Sequence, residues 1–133
     1  MKGSCLCGAV AFEADGPAVD FVLDHCSRCR KATGSAFFAE LVVPLARFRW
    51  IQGESEVRVY EAPVRETPPG YQRAFCSQCG SPVPSSHSTH GVVSIPAGSL
   101  DDDPGARPMR HIFVEAKAPW FSIDDGLPQF AKK

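Results

Sequence analysis

Residues 3–12 read GSCLCGAVAF, placing Cys5 and Cys7 two positions apart and directly ahead of Gly8. The meaning of this stretch depends on four more cysteines, which also come in pairs: HCSRC (25–29) holds Cys26 and Cys29, and FCSQCG (75–80) holds Cys76 and Cys79. Zinc binds four ligands in a tetrahedron with Zn–S near ~2.3 Å, so ligand sulfurs lie roughly 3.8 Å apart. A Cys-x-x-Cys turn holds two thiols at about that separation, and Gly80, able to take positive φ, closes such a knuckle. A Cys-x-Cys stretch does the same from an extended segment, because residues i and i+2 point to one side. One pair alone is a weak signal; three in one short chain are a strong one. Spacing leaves open which pairs share an ion. Cys26/Cys29 with Cys76/Cys79 resembles a zinc ribbon, with far more than the usual ~15–20 intervening residues. Cys5/Cys7 with Cys76/Cys79 would close a long loop and leave Cys26 and Cys29 as an incomplete ligand set, which is the signature of a catalytic zinc.

The 133 residues suit one domain, taken as 1–133, with a modest core, and a 44% apolar content argues against disorder. A formal net charge of −1 gives no general attraction to nucleic acid or anionic membranes. No apolar run approaches the ~20 residues of a spanning helix. MKGSCLCGAV lacks the features of a secretory signal, so the expected compartment is the cytoplasm. Thiols there are not usually kept as structural disulfides, which favours metal ligation.

Twelve prolines and eleven glycines disfavour long helices. Short alternating segments lie between them. AVAFEA (9–14) puts Val10 and Phe12 on one face, VDFVL (19–23) does so with Val19, Phe21 and Leu23, and EVRVYE (56–61) with Val57 and Val59. AFFAELVV (36–43), GVVSIPA (91–97) and RHIFVE (110–115) read as more deeply buried strands. Helical turns are expected only near CRKATG (29–34) and PLARF (44–48). The fold class is all-β, with many short strands and loops. DDDPGARP (101–108) reads as a solvated turn, because the glycine and glutamate spacing of a calcium loop is missing.

Taken in order, GSCLCGAV, HCSRCRKATGSAF, FCSQCGSPV and HIFVEAKAPWFSIDDGLPQF resemble the glutathione-dependent formaldehyde-activating enzymes, grouped with centromere protein V among zinc proteins. The resemblance runs from Gly3 to Phe130. It implies an Mss4-like fold of antiparallel sheets and two metal sites. Cys5, Cys7, Cys76 and Cys79 match the structural zinc. The second site of the family looks like Cys-x-Cys-x-x-Cys, and here Asp24 stands where its first cysteine would be, ahead of Cys26 and Cys29. A carboxylate supplies the same negative charge but is a harder ligand, so the expectation is weaker zinc retention and a more electrophilic metal. His25 is the rival third ligand; in an extended segment it points away from Asp24 and Cys26.

The resemblance implies a carbon–sulfur lyase or synthase joining glutathione to formaldehyde as S-(hydroxymethyl)glutathione, with Asp24, Cys26 and Cys29 at the catalytic zinc. Arg28, Arg30 and Lys31 are candidates for binding an anionic thiol, and Thr33, Gly34 and Ser35 for an anion-binding turn. His111 reads as a hydrogen-bonded histidine, His87 and His90 as loop histidines, Trp120 and Phe121 as packing over the sheet, and Trp50 as core. A homodimer is compatible with the pattern. The alternative is a zinc-stabilised binding module without chemistry, to which Asp24 lends weight.

Overall fold

The structure, a computed structural model, describes residues 1–87 and 90–133, the side chain of residue 87 excepted. Ten strands and one α-helix follow in order: β1 Lys2–Ser4, β2 Ala11–Ala14, β3 Asp20–Asp24, α1 Ser27–Thr33, β4 Phe38–Pro44, β5 Phe48–Gln52, β6 Val57–Glu61, β7 Gln72–Cys76, β8 Ser85–His87, β9 Val92–Pro96 and β10 Arg110–Ile112. The chain is mainly β, with the strands in three sheets ordered β1-β2-β5, β10-β3-β4-β9-β8 and β6-β7. Every strand pair is antiparallel except β10 with β3, which run parallel with His111 opposite Leu23.

The main core forms where the first two sheets face each other. Phe12 and Ala14 of β2 meet Phe21 of β3, Leu41 and Val43 of β4, and Val93 and Ile95 of β9. A second cluster gathers Cys5, Val10, Ala74, Cys76 and Val83, and Trp50 packs against both clusters. Cysteine sulfur is thus part of the hydrophobic interior of the smaller cluster, a region with little aliphatic bulk of its own.

Two of the expected faces differ from the periodic pattern. Val19 lies before β3 and is exposed, while Phe21, Val22, Leu23 and Asp24 are all buried. Consecutive β3 residues point to opposite faces and all four are buried, so both faces of the strand are covered and alternation loses its meaning there. Val59 is 58% exposed because β6 belongs to a two-stranded sheet with one open face. The 101–108 segment is an irregular turn in which Arg107 clasps Asp103 at 2.8 Å and the Asp101 carboxylate accepts from Ser4 Oγ.

α1 begins right after Cys26 and ends at Gly34, whose φ of 67° gives the left-handed C-cap and lets its N–H reach the Arg30 carbonyl. The Thr33–Ser35 turn is therefore a helix C-terminus. Its Ser35 N–H is taken by Thr33 Oγ1, and the nearby carbonyls disfavour an anion. A 3₁₀ turn, Leu45–Arg47, occupies the other expected helical position.

Candidate metal centres

Two knuckles meet at the first centre. In the first, the Gly8 N–H donates to the Cys5 carbonyl at 3.0 Å; in the second, the Gly80 N–H donates to the Cys76 carbonyl at 2.8 Å. Both glycines have positive φ, 78° and 74°, which turns the chain sharply enough to aim two sulfurs at one point. The Sγ atoms of Cys5, Cys7, Cys76 and Cys79 all lie within 4.8 Å of one another. Cys5 and Cys7 are separated by 3.6 Å and Cys7 and Cys76 by 3.9 Å, close to the spacing of sulfurs around tetrahedral zinc.

The thiols interact strongly at this range. The Ser81 hydroxyl and N–H hold the Cys79 thiol down at about 5. The Ala9 N–H favours the Cys7 thiolate most strongly of any single group, but hydrogen bonding with the Cys5 thiol, desolvation and the Cys79 and Cys76 thiols together outweigh it and push Cys7 up to about 11. Four sulfurs this close ionise together only around a cation. A small, soft, tetrahedral ion such as zinc fits the donor set, since every donor is sulfur and the Val10 N–H already braces Cys5 Sγ at 3.3 Å.

The second centre lies at the junction between β3 and α1. Asp24 closes the strand, Cys26 caps the helix, and Cys29 falls on its buried face. Asp24, Cys26 and Cys29 bring their donor atoms within 4.8 Å of one another. The Cys26 N–H donates to Asp24 Oδ1 at 2.8 Å, and the Cys29 thiol to Oδ2 at 3.3 Å. Burial pushes the Asp24 carboxyl up. Burial also raises Cys29, and the charge of Asp24 raises it further. Three donors, two of them sulfur, suit zinc with one open position.

His25 is turned away from this centre. The Asp125 carboxylate accepts from His111 Nε2–H at 2.9 Å, which leaves His111 Nδ1 to accept from His25 Nε2–H at 2.8 Å. Both imidazoles are buried, and Phe37 and Phe121 flank His25 with ring centroids 5.5 and 5.9 Å away. The chain of hydrogen bonds ties the 24–26 segment to the C-terminal stretch. Trp120, in contrast to Phe121, is 72% exposed and makes an edge-on contact with the Phe121 ring.

Asp24, Cys26 and Cys29 open on a cavity of ≈ 600 Å³, whose lining also includes Arg28, Tyr71 and Arg73. Arg28 lies in that lining and donates to the Pro63 carbonyl at 2.9 Å. Arg30 Nε donates instead to the Ala116 carbonyl at 3.1 Å, and Lys31 is an exposed residue in the last turn of α1. At ~100° per residue Arg30 points nearly opposite Arg28, whereas Lys31, three residues on, lies on the Arg28 side, so the three cations of one short helix do not all share a direction. His90 borders the cavity; the side chain of His87 lies outside the described residues.

Sequence reasoning did not single out Tyr71, Arg73 or the 67–70 stretch. They reach the cavity through the β6–β7 hairpin, and no spacing rule connects them to Cys29. Burial, and after it the charge of Cys29, push the Tyr71 phenol up, so it remains a protonated donor beside that sulfur.

A mainly β scaffold thus carries two donor clusters that could hold a metal ion, one of four sulfurs and one of three donors beside a cavity. The chain belongs to the glutathione-dependent formaldehyde-activating enzyme family, whose family model, described as "Glutathione-dependent formaldehyde-activating enzyme", matches residues 1–116. A Halomonas elongata protein described as "Putative glutathione-dependent formaldehyde-activating enzyme" is 32% identical over 128 residues, covering 93% of this chain and 81% of that protein. A Rhodobacter sphaeroides protein of known crystal structure shares the fold, with a TM-score of 0.56 and 22% identity over 98% of this chain and 99% of that one.

Proposed function

We propose that residues 1–133 form one cytoplasmic domain that catalyses addition of a small thiol to an aldehyde, with glutathione and formaldehyde as the reference pair. The reverse reaction makes it a carbon–sulfur lyase. In the forward direction the thiol sulfur attacks the carbonyl carbon and a C–S bond forms. The C=O π electrons move to oxygen, and the proton lost by the thiol ends on that oxygen as a hydroxyl. Nothing is oxidised or reduced. The observation that carries the reading is the convergence of Asp24, Cys26 and Cys29 on a ≈ 600 Å³ cavity while four other cysteines form a complete set elsewhere.

A zinc ion held by Asp24, Cys26 and Cys29 supplies a Lewis acid that favours thiolate near neutral pH. The protein supplies the rest. The Cys26 N–H fixes the orientation of the Asp24 carboxylate. The Tyr71 phenol lines the same cavity and, held protonated mainly by burial, would be the donor to the oxygen that becomes a hydroxyl. Pro68, Pro69 and Gly70 line one side of the cavity. The family match and the relative's description support glutathione and formaldehyde as first substrates to try.

The test is exchange NMR on zinc-loaded protein with glutathione and formaldehyde. The expected result is hemithioacetal formation and breakdown faster than the spontaneous reaction. No excess rate with glutathione or other small thiols would refute the proposal. A second reading, a binding module without chemistry, is favoured by one contact: the Cys29 thiol already satisfies Asp24 at 3.3 Å without an ion. Two zincs per chain support the enzyme and one tightly held zinc supports the module.

A further inference from the structure

We propose that β6 is a contact surface between two copies of this chain, whose β6 strands add edge to edge, antiparallel, about a two-fold axis at Val59. The contact is independent of the reaction assigned to the cavity.

The other sheet edges are covered or blunted. On the outer side of β1 the Asp101 N–H donates to the Lys2 carbonyl, and on the outer side of β10 the His111 N–H donates to the Pro128 carbonyl. Residues 81–83 run along β7, with the Cys76 N–H donating to the Ser81 carbonyl and the Val83 N–H to the Ala74 carbonyl. β8 is only three residues long. On β5 the register skips from Gln52 to Trp50, so Ile51 bulges and breaks the straight edge. β6 lacks such a device. Its residues stay in register with β7 from Val57 opposite Cys76 to Glu61 opposite Gln72. Arg58 to Glu61 are all exposed, with Val59 at 58% and Tyr60 at 59%. An open apolar edge of this kind is a template for another strand.

The hydrogen bonds fix which main-chain groups face outward. The Ala62 N–H donates to the Tyr71 carbonyl at 2.8 Å and the Ser77 N–H to the Glu56 carbonyl at 2.9 Å. Alternation along an antiparallel pair then turns the main chain of Arg58 and Tyr60 toward β7, and that of Val57, Val59 and Glu61 toward the open side. The Val57 N–H is taken by the Glu54 carbonyl, and the Val57 carbonyl accepts Arg58 Nη1 at 3.1 Å. Among the described residues, the main-chain groups of Val59 and Glu61 have no partner on that side.

This pattern is self-complementary about Val59. Each Val59 N–H meets the partner's Val59 carbonyl, and each Glu61 N–H meets the partner's Val57 carbonyl, which has a second lone pair to offer. An axis at Glu61 would instead set Val59 opposite Pro63, which has no N–H to give. The side chains agree with the Val59 register. Val59 packs on the partner's Val59, and Arg58 stands opposite the partner's Tyr60, where a guanidinium can lie over the ring face. Glu61 stands opposite the partner's Val57, so no like charges are directly opposed. A two-fold contact of this type closes on itself and stops at two chains.

The experiment is sedimentation equilibrium of the zinc-loaded protein over a range of concentrations. The wild type is expected to pass from one chain to two with a dissociation constant on the order of 1–100 μM, as suits a contact built on one strand pair. Val59→Pro removes the N–H at the axis, and because that N–H faces away from β7 the fold should survive, as circular dichroism would verify. Val59→Lys sets two cations opposite each other at the same point and decides the matter if Val59→Pro does not fold. Each should weaken the dimer by at least about tenfold. Ile51→Lys, at the bulged β5 edge, should leave it within about twofold. A wild type that stays a single chain throughout, a mass that climbs past two chains, or a dimer untouched by Val59→Lys would overturn the proposal, as would equal weakening by Ile51→Lys.

Discussion

Replacing Asp24 isolates the second centre with little disturbance of the fold. In Asp24→Asn the amide oxygen can still accept the Cys26 N–H that now reaches Oδ1 at 2.8 Å, so the junction between β3 and α1 keeps its shape. The other oxygen, 3.3 Å from Cys29 Sγ, becomes an NH₂ group that carries no charge and offers no lone pair to a metal. Zinc binding in four-ligand sites releases roughly 10–16 kcal/mol, or about 2.5–4 kcal/mol per ligand. Loss of one ligand should therefore weaken the second zinc on the order of 10²–10³-fold. The four-cysteine centre shares no residue with Asp24 and serves as an internal control. The assay is zinc content by elemental analysis, with competition against a chromogenic chelator and circular dichroism to verify the fold. Wild type should hold two zincs per chain and Asp24→Asn one. Asp24→Cys, by restoring a soft thiolate, should retain the second zinc more tightly than wild type. An unchanged competition curve for Asp24→Asn would refute the assignment of Asp24 as a ligand.

Three more outcomes follow from the same geometry. His111→Ala leaves the buried His25 Nε2 without its 2.8 Å partner and opens a cavity, at a cost of about 2–4 kcal/mol, seen as a fall in Tm on the order of 10 °C; an unchanged Tm would contradict the buried relay. In an acid titration the second zinc should leave before the first. Burial raises both Asp24 and Cys29, whereas at the first centre Cys5 and Cys79 are held down although Cys7 is pushed up, so protons displace the metal at the second centre at higher pH; zinc release in the reverse order would contradict this. Cys76→Ser should remove the first zinc and lower cooperative thermal stability, because Cys76 is fully buried in the smaller cluster, and a chelator in excess should do the same to wild type; a thermal transition unmoved by either would contradict a structural metal.

Much of this was readable in the sequence, for identifiable reasons. The β2, β3, β4, β6, β9 and β10 segments carry apolar runs that mark strands, and the helical turn expected at 29–34 falls within α1 and its Gly34 cap, with the start at Ser27 two residues earlier than expected. β1, β5, β7 and β8 were less visible. β1 and β8 are three residues long, and β5 and β7 carry Arg49, Gln52, Gln72 and Arg73 among their apolar residues. Periodicity failed at β3, where both faces are covered, and at β6, where one face is open. The two donor sets lie within short local motifs, so their internal geometry could be anticipated. The meeting of Cys5 and Cys7 with Cys76 and Cys79 needed the resemblance as well. The cavity wall opposite Cys29 could not be read, because Tyr71 and Arg73 arrive there by the packing of a distant hairpin.

Anomalous diffraction at the zinc edge, from crystals of the zinc-loaded protein, would test these assignments together. The account predicts two peaks per chain: one enclosed by the sulfurs of Cys5, Cys7, Cys76 and Cys79, and another among Asp24, Cys26 and Cys29 at the cavity wall. Absence of a peak at the four sulfurs, or covalent sulfur–sulfur bonds in its place, would contradict it.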